Sequence, residues 1–64
     1  MNNKKQAAAD AAIELIADAL NVMPSDLGEE WVEFAKAIAD VVCSPYAGDF
    51  RAIGRLANAA VKLP

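Results

Sequence analysis

Alanine is the most frequent residue in this sequence, and it limits what the chain can fold into. Fifteen of the 64 residues are alanine, in a chain whose apolar fraction is 56%. Alanine has the highest intrinsic helix propensity but buries little apolar area. The composition therefore favours helix formation more than it favours a large hydrophobic core.

The length of 64 residues adds a second limit. A domain of this size buries only about 60% of the surface of its unfolded chain, and a metal, disulfides or a second subunit often supply the missing stability. The sequence has no histidine and a single cysteine, Cys43, so an internal disulfide is impossible and a Cys/His metal cluster is not expected. We therefore expect one domain over residues 1–64, with residues 1–4 disordered, that forms a homodimer.

Apolar periodicity predicts a first helix from about residue 5 to residue 21. The apolar side chains between Ile13 and Val22 cover about half of the circumference of an ideal helix. An arc this wide predicts that the helix contacts two or more surfaces. Asn21 suits a helix C-terminus, and Pro24 cannot continue the helix.

A second helix is predicted from residue 26 to residue 43. Asp26 followed by Glu29 fits a capping box, and Glu30 adds a negative charge to the first turn, where free N–H groups favour it. The predicted buried face consists of Trp31, Phe34, Ala35, Ile38, Val41 and Val42. Cys43, at the border of this face, is expected to be a buried, unreactive thiol; the alternative is an exposed thiol open to modification.

A third helix is predicted from residue 45 to residue 62. Ser44 suits the N-cap and Pro45 the first helical position, with Asp49 after Gly48 as the alternative start. The predicted core side consists of Tyr46, Phe50, Ile53, Ala57 and Val61, flanked by Leu56 and Ala60. Gly54 costs about 1 kcal/mol relative to alanine in a helix interior, which suggests a close crossing by another backbone. The three helices, joined by tight turns, predict an all-α, compact three-helix domain.

Charge is sorted along the chain, from an acidic front part to a mildly basic third helix. Asp10, Glu14 and Asp18 recur every four residues on helix one, where like charges oppose each other by ~0.2–0.5 kcal/mol per pair. This acidic stripe is either solvated surface or a site for a partner rich in arginine and lysine. The counterpart on helix three is a basic stripe of Arg51, Arg55 and Lys62, which either pairs with the acids or contacts phosphates.

Catalysis and cofactor binding find little support in the residue pattern. No histidine is present, and no base stands at a recognisable spacing from Ser25, Ser44 or Cys43. Residues 13–27, IELIADALNVMPSDL, resemble the first helix and turn of acyl carrier proteins. Those proteins carry phosphopantetheine on the serine of an Asp-Ser-Leu motif, whereas here Ser25 precedes Asp26. We therefore expect no enzyme activity, no cofactor and no metal.

The remaining features favour an interaction protein in the cytoplasm. No apolar run approaches the ~20 residues that span a bilayer, and acidic residues interrupt the N-terminal stretch where a signal peptide would be apolar. The net charge of −3 disfavours nucleic acid as a partner. We expect a small acidic protein that binds a basic protein surface, as an inhibitor or regulator of the phage or mobile-element type. The alternatives are a dimeric regulator that contacts nucleic acid through the basic stripe, and a structural subunit of a larger assembly.

Overall fold

The structure, a computed structural model, describes residues 3–44 and 49–64. Its elements in chain order are α1 (Asn3–Leu20), a 3-10 turn (Pro24–Asp26), α2 (Glu29–Val42) and α3 (Phe50–Val61). The described residues contain no strand, so the prediction of a compact all-α domain with three helices is confirmed. Asn3 and Lys4 belong to α1, and residues 1 and 2 lie outside the described part.

Helix α1 ends where the sequence predicts, and the residue that follows it has a left-handed backbone conformation. Asn21 has φ 58°, a conformation that asparagine tolerates better than most residues. The Asn21 amide donates to the Asp18 carbonyl at 3.1 Å, and the Val22 amide donates to the Ala17 carbonyl at 2.9 Å. These two bonds form a Schellman motif, which satisfies the last carbonyls of α1 and turns the chain back.

The N-terminus of α2 differs from the predicted capping box. Asp26 belongs to the 3-10 turn, and Gly28 is the N-cap of α2, with no side-chain capping bond. The prediction of a capping box is wrong, because Pro24 starts a separate 3-10 turn that contains Asp26 and ends before α2 begins. Glu29 and Glu30 nevertheless occupy the first turn of α2, as expected.

The N-terminus of α3 lies at the alternative start. Asp49 has an extended backbone, and its side chain accepts bonds from the amides of Arg51 at 3.0 Å and Ala52 at 3.4 Å. The prediction of one unbroken helix from residue 45 is therefore wrong, because the Asp49 carboxylate caps a helix that begins at Phe50. Residues 45–48, including Pro45, lie outside the described part.

The three helices are arranged with α2 in the middle. α1 packs on α2 and on the 3-10 turn, and α3 packs on α2, whereas α1 and α3 do not contact each other within the described residues. The molecule measures 33 × 26 × 16 Å. Its radius of gyration of 11.6 Å exceeds the about 10.7 Å expected for a chain of this length.

The buried core consists of alanine. The residues that are buried are Ala9, Ala12, Ala17, Ala35, Ala37, Ala39 and Ala52. No large side chain in the described residues is fully enclosed, and the larger apolar residues of α2 other than Val42 are half-buried. Among these, Trp31 and Phe34 form an edge-to-face pair with ring centroids 6.2 Å apart. Alanine therefore allows the helices to approach each other but leaves them little to enclose.

The prediction of which side of α3 faces the core is wrong. Phe50, Ile53, Ala57 and Val61 are exposed, as is the flanking Ala60. The helix instead buries Ala52 and half-buries Leu56 and Ala59. The physical reason is that α3 meets only α2 within the described residues, through the side that contains Ala52 and Leu56, and no third described element covers its large apolar side chains. Tyr46, placed on the same predicted face, lies outside the described residues.

Two smaller expectations about packing also need correction. A Cβ added to Gly54 would meet no heavy atom within 4 Å, so no backbone of the described residues crosses there. Val42, predicted to be buried with the rest of its face on α2, is exposed.

Candidate protein-binding surface

The acidic stripe lies along the outer surface of α1. Asp10, Glu14 and Asp18 are all exposed. Asp10 accepts a hydrogen bond from the Gln6 amide nitrogen at 3.0 Å. Within the part of the chain that the structure describes, none of the three carboxylates forms an ion pair. The stripe is therefore negative charge that the fold leaves without a cationic partner.

A shallow groove borders this stripe, at the end of α1. The Schellman motif places Val22 and Pro24 beside the last turns of the helix. The groove is lined by Ala11, Leu15, Ala17, Val22 and Pro24, together with the carboxylate residues Glu14 and Asp18. Leu15 keeps 72% of its surface exposed, and Met23, next to the groove in sequence, keeps 64%. Apolar surface thus adjoins two unpaired carboxylates in one concave site.

The basic stripe of α3 is not presented as one cationic patch. Arg55 forms an ion pair with Asp40 of α2, with 3.4 Å between Nη1 and Oδ2. Lys62 lines the same α2–α3 groove as Arg55, together with Lys36, Glu33 and Asp40 of α2. Arg51 lines a neighbouring cleft that also contains Asp49. Carboxylates therefore line both clefts that contain the cations of the stripe.

Asp40 is a structural residue that sequence analysis overlooked. Its Oδ1 atom lies 3.2 Å from the Lys5 ammonium of α1, and its Oδ2 atom lies 3.4 Å from the Arg55 guanidinium of α3. One carboxylate on the middle helix thus links both outer helices. The sequence marks Asp40 only as a member of the polar face of α2, because its two partners come from distant segments whose proximity depends on the fold.

The segment after α2 contains Cys43 and Ser44. Cys43 is half-buried, so it is neither the enclosed thiol nor the fully exposed thiol that the sequence suggested. The Ser44 hydroxyl donates to the Asp49 carboxylate at 3.3 Å. Asp49 therefore links the end of α2 to the start of α3 as well as capping the latter.

Residues 3–44 and 49–64 contain neither a candidate metal site nor a candidate membrane-spanning helix. No three Cys, Asp or Glu side chains there come together as a possible metal site. No helix of that part is both long and apolar enough to cross a membrane. Comparison of the chain with protein-family models, curated proteins and solved structures finds no match. The function must therefore be inferred from the chemistry of the surfaces.

Proposed function

We propose that this protein is a non-enzymatic binding protein that uses the groove of α1 to hold a basic, partly apolar segment of a larger protein. The proposal rests on two carboxylates, Glu14 and Asp18, that form no ion pair in the described residues. They lie at the edge of a groove lined by Leu15, Val22 and Pro24. An amphipathic helix with arginine or lysine beside leucine-type side chains would satisfy both parts of this surface.

The placement of the charges supports this proposal over a purely structural role. Like charges four residues apart destabilise an isolated helix by ~0.2–0.5 kcal/mol per pair. The fold could offset this cost by pairing the stripe with α3, but α1 and α3 do not meet in the described residues. Arg55 is bonded to Asp40 of α2 instead. The acidic stripe is therefore left for the solvent or for a partner.

The biological form that fits such a surface is an inhibitor or regulator that covers a basic site on its target. Attraction between the stripe and a positive surface speeds the encounter, and the adjoining apolar contacts slow dissociation. The nucleic-acid alternative is less well supported, because Glu33 and Asp40 line the groove that contains Lys36, Arg55 and Lys62. The two carboxylates offset most of the positive charge that would attract phosphates.

A defined peptide tests the proposal. The probe is a fluorescent synthetic helix with arginine and lysine on one side and leucine on the other, and its counterpart replaces the basic residues with glutamate. We expect fluorescence anisotropy to show binding of the basic peptide alone. The affinity should fall as salt rises, because the Debye length shrinks from about 10 Å at 0.1 M to about 3 Å at 1 M ionic strength.

Charge reversal with a matched control locates the binding site. Changing Glu14 and Asp18 to lysine should remove binding, while the helix is kept because lysines at this spacing are about as unfavourable as acids. The control changes Glu29 and Glu33 to lysine; these are exposed acids at the same spacing on α2, and the net charge changes by the same amount. Equal losses in both variants, or no binding of the basic peptide by the original protein, would contradict the proposal.

A further inference from the structure

The exposed side of α3 forms a second surface, separate from the groove of α1. We call the residues Phe50, Ile53, Gly54, Ala57, Ala60 and Val61 the α3 apolar face. Phe50 keeps 87% of its surface exposed, Val61 84% and Ile53 45%. Positions 50, 53, 57 and 60 follow the three-four spacing of a helix–helix seam. The face therefore has the pattern of a helix that packs against another helix, although nothing in the described chain covers it.

The α3 apolar face carries no charge. On an ideal wheel its residues occupy a sector of about 120°, and the cations of the basic stripe lie outside that sector. α2 covers a different side of α3, where Ala52 is buried. The α3 apolar face thus offers a partner large apolar side chains and no ionic group, unlike the mixed surface beside Leu15.

The chain exposes more surface than a folded monomer of its mass is expected to expose, and this excess matches what a dimer would bury. The accessible surface is 4,873 Å², whereas a folded monomer of 6.7 kDa is expected to expose about 3,900 Å². The excess of roughly 1,000 Å² is close to the ~800 Å² that each partner contributes to an interface of standard size. A single association of ordinary size would therefore give this chain the surface of a typical compact protein.

We propose that a second copy of this chain covers the α3 apolar face, in an antiparallel pair of α3 helices related by a two-fold axis. Phe50 and Val61 are eleven residues apart, about 16 Å along the helix, with the small Gly54 and Ala57 between them. An antiparallel pair places Phe50 of one copy against Val61 of the other at both ends. The two helices then cross at Gly54 and Ala57, where small side chains permit close approach.

Charge does not oppose a second copy as the occupant. Each chain has a net charge of −3, and association of two such chains requires that their acids stay apart. The acidic stripe lies on α1, which has no contact with α3 within the described residues, so the stripe is not part of the uncharged seam. A two-fold interface uses the same patch on both copies, and a patch without charge can face itself without repulsion.

Sedimentation equilibrium over micromolar to millimolar concentrations tests the inference. The original protein should fit a monomer–dimer equilibrium between 6.7 kDa and twice that mass. Phe50→Glu should raise the dissociation constant more than about 100-fold, which corresponds to about 2.8 kcal/mol, because each dimer contains the change twice. Leu15→Glu is the matched control on α1, with a similarly exposed residue, and it should leave the dissociation constant unchanged.

Further variants separate loss of the interface from loss of the fold. Ala57→Glu replaces an exposed residue by a good helix former, so it should keep the circular dichroism spectrum and still abolish the dimer. Mixing Phe50→Glu with Val61→Lys should restore association, because the antiparallel pair places the new carboxylate beside the new ammonium. A monomer at every concentration, a dimer that survives both glutamate variants, equal weakening by Leu15→Glu, or no rescue on mixing would overturn the inference.

Discussion

Gly54→Ala is expected to stabilise the monomer of this protein. Gly54 lies inside α3, and a Cβ added there would meet no heavy atom within 4 Å. Alanine is favoured over glycine in a helix interior by about 0.8–1.0 kcal/mol, and no steric cost opposes this gain. For a domain of this size, 1 kcal/mol corresponds to about 4–8 °C in Tm. We therefore expect the free energy of unfolding to rise by ~1 kcal/mol and Tm by roughly 3–8 °C.

The measurement is urea and thermal unfolding followed by far-ultraviolet circular dichroism. It is best made in the Phe50→Glu background, so that association does not make Tm depend on concentration. Gly28→Ala is the control, because Gly28 is the N-cap of α2, where alanine is a poor residue, and its new Cβ would lie 3.1 Å from a Glu30 carboxylate oxygen. That variant should lose about 0.5–1 kcal/mol. A destabilised or unchanged Gly54→Ala monomer would refute the reasoning and would mean that another part of the chain contacts Gly54.

Three further substitutions test the local interactions that hold the helices. Asn21 has a left-handed backbone, so Asn21→Gly should raise the free energy of unfolding by up to about 1 kcal/mol and Asn21→Ala should lower it, as urea titrations would show. A double-mutant cycle on Asp40 and Arg55 should give a coupling of ~0–1 kcal/mol that decreases with salt, because Arg55 is largely exposed; a larger, salt-independent coupling would contradict this. Arg51→Glu should change Tm by less than Arg55→Glu, because only Arg55 is paired with Asp40 in the described residues.

The helices of this protein could be predicted from its sequence, because local chemistry determines them. Asn21 and Pro24 end α1, and acids begin α2 in the predicted turn. The sequence favours Ser44 as the start of α3, with Asp49 as the alternative, since both residue types are good N-caps. The observed N-cap is Asp49, whose carboxylate accepts from the amides of Arg51 and Ala52.

The orientation of α3 could not be predicted, because periodicity identifies an apolar face but not what covers it. The large residues Phe50 and Val61 suggested the core side, yet α3 meets α2 through small residues, and Ala37 and Ala59 both line their common groove. Small side chains let two helices approach closely, and with no contact to α1 the larger side chains remain outside. The Asp40 link was missed for the same reason, since its partners belong to different helices.

The separation of α1 from α3 has a consequence for binding, if both proposed surfaces are used. A dimer formed through α3 carries one acidic groove on each copy, and neither groove contains residues of the seam. A partner with two basic segments could therefore occupy both grooves at once, and the second contact would form at the high effective concentration set by the linker between the segments. Phe50→Glu should accordingly weaken binding of a tandem basic peptide with a linker long enough to span both grooves, yet leave the affinity for a single basic peptide unchanged. Equal affinities of the dimer for tandem and single peptides, across a series of linker lengths, would show that the two grooves are not accessible to one partner.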